Sequence, residues 1–298
     1  MNITALINAL PGACAQGLIW GIMAIGVYIT YKILDIADLT VDGTMCTGGA
    51  VCVVLIINGV NVWIALLCAF LAGMLAGLVT GVFHTVMGIP AILSGILTQL
   101  ALYSINLRIL GSSNQAISSR KYPLLISLMR IPQAVMISAL FIVVLIAVLY
   151  WFFGTELGCS LRATGCNMNM ARAQGINTSF TRVLGLMLSN GIVALSSALF
   201  SQYSGFADIN MGRGAIVIGL AAVIIGEVLF SKIFKNFALK LLAVVLGAVI
   251  YYLVIQVVLW LGLNTDDLKL LTALVVALFL SIPHLKSKYF SKGARGHA

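Results

Sequence analysis

Five stretches of this chain contain no Asp, Glu, Lys or Arg: residues 1–31, 43–107, 131–155, 183–207 and 241–265. A hydrocarbon layer about 30 Å thick is crossed by about 20 apolar residues at helical rise, and each stretch supplies that length or more. The chain as a whole is 61% hydrophobic and 8% charged, where soluble domains carry about a quarter charged residues. The expected fold class is therefore an all-α, polytopic membrane protein of about 8–10 transmembrane helices, organised as a single transmembrane domain over residues 1–298.

The net charge of +9 does not point to nucleic acid. The basic residues sit in short segments between apolar runs, where they act as topological signals on cytoplasmic loops in contact with a lipid bilayer. The opening MNITALINALPG has no basic n-region of a signal peptide, which predicts an uncleaved N-terminus on the outside. Cys14, Cys46, Cys52 and Cys68 lie inside apolar runs and read as small hydrophobes. Neither they nor Cys159, Cys166, His84, His284 and His297 have metal-ligand spacing, so no metal site is expected.

Spans are predicted near 9–31, 43–59, 62–84, 90–108, 132–153, 183–203, 213–231, 241–262 and 268–284. Turn signals at Asn58-Gly59-Val60-Asn61, Gly88-Ile89-Pro90 and Leu263-Asn264-Thr265-Asp266-Asp267 separate them. Placing 154–182 in the cytoplasm puts Lys32, Arg162, Arg172, Arg182, Lys232, Lys235, Lys240 and the basic tail from Lys286 to Arg295 inside as well. That is eleven of the seventeen basic residues. Segment 108–130, with Arg108, Arg120, Lys121 and Arg130, then lies outside against the rule. Gly73, Gly77 and Gly81 repeat every fourth residue and predict a close helix–helix contact within the chain.

Residues 35–43 read DIADLTVDG and hold three of only eight acidic residues. Part of this motif returns at 206–212: IADLTVD aligns with FADINMG, Asp38 with Asp208 and Thr40 with Asn210. Both copies follow an apolar span and precede a segment rich in small residues. Five predicted spans separate them, so the copies have opposite orientation, an inverted repeat of the kind that frames transport paths. A carboxylate at membrane depth faces a wet cavity or accepts hydrogen bonds. Asp38 and Asp208 are thus expected to cap helix starts, to line the path, or both. Candidate path residues are Asp38, Thr40, Asp208, Asn210, Asn190 and Gln202, with Tyr31 and Tyr203 nearby. These polar groups suit an amino acid or a sugar equally.

Residues 154–182, GTELGCSLRATGCNMNMARAQGINTSFTR, form the longest polar stretch. A short helix is expected around 171–173, stopped by Gly175 and Asn177. From Leu157 to Asn177 the pattern LGxxLRAxGxNxxxARAxGIN resembles the coupling segment of permease subunits of ATP-binding-cassette importers, in the branch serving branched-chain amino acids, ribose and similar solutes. DIADLTVDG and GFADINMGRGAIVIGLAAVIIGE resemble that family's two Gly-rich segments. The run LPGACAQGLIWGIMAIGVYITYKILDIADLTVDG is most similar to a subgroup linked to tryptophan or tyrosine uptake. Two departures stand out: a stretch at Met168–Met170 rich in Met and Asn, and the lack of a further N-terminal span found in sugar-type relatives.

The resemblance implies a permease that pairs with a second permease copy, as a homodimer, in the bacterial cytoplasmic membrane. It implies docking on ATPase subunits and delivery of solute by an extracytoplasmic binding protein. Arg162, Ala163, Gly165, Asn167, Ala171, Arg172, Gly175 and Ile176 would form the coupling helix and its flanks. ATP and Mg would be bound by the partner ATPase, because no GxxxxGK[ST] occurs in this chain. No nucleophile–base constellation is visible either, so no catalytic residue, no cofactor and no enzyme activity are expected of this chain. The other reading is an ion-coupled secondary transporter or channel, in which Asp38, Asp208 or Glu227 would carry protons or Na⁺.

Overall fold

The computed structural model describes residues 3–262, together with 270, 273, 274, 276, 277 and 281. Among the described residues ten α-helices follow in chain order: α1 (Ile3–Tyr28), α2 (Thr40–Ile57), α3 (Val62–Thr85), α4 (Ala91–Leu110), α5 (Ile131–Gly154), α6 (Glu156–Cys166), α7 (Met168–Ala173), α8 (Thr178–Ser204), α9 (Ala215–Phe230) and α10 (Phe237–Trp260). Seven of them are long and apolar enough to cross a membrane; α9 is shorter, and α6 and α7 are not apolar spans. The only strands among these residues are β1 (Asn114–Ala116) and β2 (Phe206–Asp208), paired antiparallel with Asn114 opposite Asp208. The architecture is all-α and polytopic, as expected.

The predicted spans at 62–84, 90–108 and 132–153 reappear as α3, α4 and α5 within two residues at each end. Elsewhere the boundaries differ: α1 starts at Ile3 rather than near 9 and α10 at Phe237 rather than 241. α2 starts at Thr40, which brings Asp42 inside its first turn. α8 starts at Thr178 because Asn177 caps it, accepting from the Phe180 N–H at 3.1 Å. The expected full span at 213–231 is instead the 16-residue α9, about 24 Å at helical rise. Arg213 and Gly214, the first two residues of that expected span, lie instead in non-helical backbone running over 209–214. The predicted hairpin at 263–267 and the basic tail lie outside the described residues, as does most of the predicted ninth span.

α1, α2 and α8 form the core. Small residues let them approach, and hydroxyls on α8 reach across to neighbouring backbone: Ser189 donates to the Gly26 carbonyl and Ser196 to the Ile19 carbonyl, both at 2.7 Å, and Ser197 donates to the Met45 carbonyl. The glycine stripe of α3 meets α8 as predicted. Gly73, Gly77 and Gly81 sit against the backbone of Asn190, Leu186 and Val183. The opposite face of α3 exposes Leu67, Leu71, Leu75 and Val79, again every fourth residue. One helix thus shows a packed face and an apolar face suited to lipid.

Candidate functional site: two interrupted helices and a polar loop

The end of α1 widens into a π turn over Ile29–Ile33, closed by Leu34 N–H to the Ile29 carbonyl at 3.0 Å. Asp35 then takes a left-handed conformation (φ 56°), a geometry that Asp tolerates better than most residues. The helix stops there, and the chain runs non-helically to α2.

Asp38 is 2% exposed in this joint, and both of its oxygens are engaged. Oδ1 accepts the Thr40 N–H at 2.9 Å, and Oδ2 accepts from Asn190 Nδ2, halfway along α8, at 2.7 Å. Asn190 Oδ1 in turn accepts from Thr44 Oγ1 at 2.7 Å. A second chain of hydroxyls, Thr40 to Thr80 at 2.7 Å and Thr80 to Thr98 at 2.9 Å, ties the head of α2 to α3 and α4. Every polar group of this buried cluster has a partner, which is what makes a carboxylate tolerable there.

The second copy of the motif follows the same local plan. α8 ends at Gly205 (φ 80°), and the chain turns back through β2. Asp208 Oδ1 accepts the Asn210 N–H at 2.7 Å, the same bond over two residues that Asp38 makes to Thr40. The outcome differs downstream. α2 starts within two residues of Asp38, whereas α9 starts only at Ala215, so Asp208 holds a turn rather than a helix start.

The cap of α9 comes from elsewhere. Asp42, in the first turn of α2, accepts from Gly214 N–H through Oδ2 and from Ile216 N–H through Oδ1, each at 3.0 Å. The heads of α2 and α9 therefore meet at one carboxylate, a favourable charge for two helix N-termini. From this junction α2 runs to the end of the molecule where Gln202 holds Cys52 and the Leu125 N–H. α9 runs to the other end, where Glu227 pairs with Lys32 at 3.0 Å.

The sequence-predicted path residues fall into three places. Asp38, Thr40 and Asn190 come together in the joint; Asp208 ends the returning strand and Asn210 lies in the turn after it; Gln202 is fixed by Leu125 and Cys52. Asp42 was not among the predicted site residues, nor were Thr44, Thr80 and Thr98. Beside the junction a cavity of about 140 Å³ is lined by Asp42, Gln99, Tyr103, Asn106 and Arg213, among others.

The polar stretch holds two helices rather than the one expected. Thr155 caps α6, and Asn167 caps α7, accepting from the Asn169 and Met170 N–H groups at 3.1 Å. Gly175 (φ 80°) ends it, with Ile176 N–H returning to the Ala171 carbonyl at 3.0 Å. α6 packs on the end of α1 so closely that a Cβ at Gly165 would collide with the Ile33 carbonyl. Arg162 donates to the Phe153 carbonyl and lies over the Phe237 ring, bracing α6 against α5 and α10. Ala171 is buried, and Arg172 donates to Thr178 Oγ1 at 2.9 Å. Asn169, Met170, Ala173 and Gln174 are left exposed.

Residues 11–282 match the family described as the branched-chain amino acid transport system permease component. The chain belongs to this family. It is the permease component of an ABC-type importer, a multi-pass protein of the bacterial plasma membrane. The permease is 42% identical over 270 residues to a tyrosine transport system permease protein of Clostridioides difficile, covering 91% of this chain and 90% of that one. It is 36% identical to the uncharacterized protein RP368 of Rickettsia prowazekii, over 94% and 98% of the two chains. The autoinducer 2 import system permease protein LsrC of Escherichia coli is 28% identical over 72% of this chain and 61% of its own. Among solved structures, a chain of PsaBC from Streptococcus pneumoniae in complex with Fab shares the fold (TM-score 0.54, 16% identity), covering 94% of this permease and 95% of that chain.

Proposed function

We propose that this permease carries an amino acid, tyrosine or tryptophan, inward through an ATP-driven importer. The observation that carries the reading is the 42% identity to a tyrosine transport permease over nearly the whole of both chains. The complex would contain two copies of this chain as a single-domain permease, ATPase subunits that bind ATP and Mg, and an extracytoplasmic binding protein.

In this reading α7 is the coupling helix. Asn169, Met170 and Gln174 meet the ATPase, while Arg162, Ala163, Gly165, Asn167, Ala171, Arg172, Gly175 and Ile176 hold the helix in shape and against the spans. The joint at Asp38, Thr40 and Asn190, with Asp208 and Asn210 at the end of the returning strand and its turn and Gln202 near the end of α8, forms the inverted repeat beside the path. Buried and fully hydrogen-bonded, Asp38 and Asn190 shape the wall rather than touch solute. The arrangement favours ATP coupling over ion coupling: Glu227 is paired with Lys32, and the oxygens of Asp38 are occupied.

The test is uptake of labelled tyrosine and tryptophan into proteoliposomes holding the permease with its co-expressed ATPase and binding protein. Uptake is expected only with ATP inside the interior-facing compartment and with the binding protein present. Uptake driven by a proton or Na⁺ gradient without ATP would overturn the reading.

A further inference from the structure

The cavity beside the α2–α9 junction carries both signs of charge. Asp42 contributes a carboxylate whose two oxygens each hold one helix N–H, leaving lone pairs free, since an ionised carboxylate offers about four acceptor sites. Arg213, at the rim on the returning segment, is exposed, and no ion pair or side-chain hydrogen bond engages its guanidinium among the described residues. Gln99 and Tyr103 project from successive turns of α4 into the same space.

Asn106 supplies an independent sign that something is missing. Its side chain is wholly buried and lines the cavity. Nδ2 donates to the Gly43 carbonyl at 3.3 Å, but Oδ1 accepts no hydrogen bond. The Cys46 thiol lies within hydrogen-bonding reach of the Asn106 side chain but donates its own proton to the Asp208 carbonyl at 3.6 Å, leaving Oδ1 without a donor. A buried amide oxygen without a donor is costly, and an incoming N–H group would satisfy it.

We infer that this cavity is a binding site in the permease for the charged head of an α-amino acid, its ammonium held by Asp42 and the Asn106 carbonyl and its carboxylate by Arg213. The inference rests on the proposed amino acid substrate and adds where in this chain it is recognised. A volume of about 140 Å³ equals some four to five waters at roughly 30 Å³ each. That is room for the amino and carboxylate groups and the α-carbon. The side chain would lie outward along Tyr103 and Leu100 on the exposed face of α4. A neutral sugar has no use for the paired charges, and a simple cation would leave Arg213 repelling it.

Two measurements test the site in the complete transporter reconstituted in proteoliposomes, with tyrosine and tryptophan as probes. The first is uptake. Arg213→Gln, at an exposed position where folding is not at stake, is expected to lower uptake about tenfold or more, the effect of losing one charge-assisted hydrogen bond. Arg213→Lys should restore a large part of it, and Asn106→Leu should lower it severalfold. The second is protection of a thiol placed at the rim by Tyr103→Cys, followed by mass spectrometry of the maleimide-labelled peptide. Millimolar tyrosine should slow labelling, whereas tyrosine amide and N-acetyltyrosine, each lacking one charge, should not.

Undiminished uptake by Arg213→Gln, or equal protection by all three compounds, overturns the site while leaving the amino acid reading intact. Loss of the permease dimer in Arg213→Gln, with tyrosine protection unchanged, also overturns it, by assigning the arginine to subunit contact. No uptake of either probe by the unaltered transporter overturns the substrate reading itself.

Discussion

Asp42 Oδ1 accepts the backbone N–H of Ile216 at 3.0 Å, joining residues 174 positions apart in the chain. With the parallel bond to Gly214, it makes the start of one interrupted helix the cap of the other. Asp38 makes the complementary connection, from the head of α2 to the middle of α8.

These two bonds reorder the expected effects of removing the acids. Asp38→Ala leaves Asn190 Nδ2 and the Thr40 N–H short of an acceptor in a dry site, at a cost of about 1–3 kcal/mol. Asp38→Asn keeps an oxygen for one of them and should recover part of the loss. Asp42→Ala removes a cap, at about 0.5–2 kcal/mol. Thermal unfolding of the purified permease in detergent should rank the variants Asp38→Ala, then Asp42→Ala, then wild type. Equal melting temperatures for Asp38→Ala and wild type would show that the Asn190 bond is not made.

Arg162 is expected to act within the permease. Its contacts are the Phe153 carbonyl and the Phe237 ring, so Arg162→Ala should lower stability by about 1–2 kcal/mol. Affinity for the ATPase, measured by pull-down of the co-expressed subunits at matched permease levels, should stay close to normal. A large loss of docking without a drop in melting temperature would place Arg162 on the interface after all.

Met170 should behave in the opposite way. It is 59% exposed on α7, and Met170→Asp puts a charge onto the surface proposed to meet the ATPase. The isolated permease should melt within about 0.5 kcal/mol of wild type, as exposed substitutions do. ATP-dependent uptake should fall at least tenfold, the effect of about 1.4 kcal/mol of lost docking. Normal uptake would remove α7 from the interface.

The Lys32–Glu227 pair should contribute little to stability. Both side chains are partly exposed, 49% and 36%, and such pairs contribute about 0–1 kcal/mol. Glu227→Gln should therefore shift the melting temperature only slightly, and 1 M salt should cancel even that shift. A loss of several kcal/mol would mean that the pair is drier than its exposure indicates.

Much of the architecture is legible in the sequence because it depends on local chemistry. Charge-free runs place α3, α4 and α5, the glycine spacing on α3 marks its packed face, and LGxxLRAxGxNxxxARAxGIN marks the polar loop. The repeated Asp at 38 and 208 is legible too, since each makes the same bond two residues ahead. What escapes is set by contacts distant in sequence. Nothing near Thr40, Thr80 and Thr98 announces that they will meet, and threonine alone in an apolar run signals only an intrahelical bond. The span expected at 213–231 takes in Arg213 and Gly214 because they adjoin an apolar run; only the turn bonds and Gly214 (φ 85°) keep them out of α9. The packing of Arg162 escapes too, because its ring partner Phe237 lies in α10.

Positions 42 and 212 occupy the same place in the two copies of the motif, and in the fold they touch: a Cβ at Gly212 would run into the Asp42 carbonyl. Space at that contact cannot be given to both copies of the motif at once. A second aspartate at 212 would need the room that the backbone of Asp42 already fills, and two like charges would face each other between two helix heads. The junction is therefore obliged to be asymmetric: one copy of the motif supplies a carboxylate, and the other, with no side chain at Gly212, leaves room for the backbone that carries it.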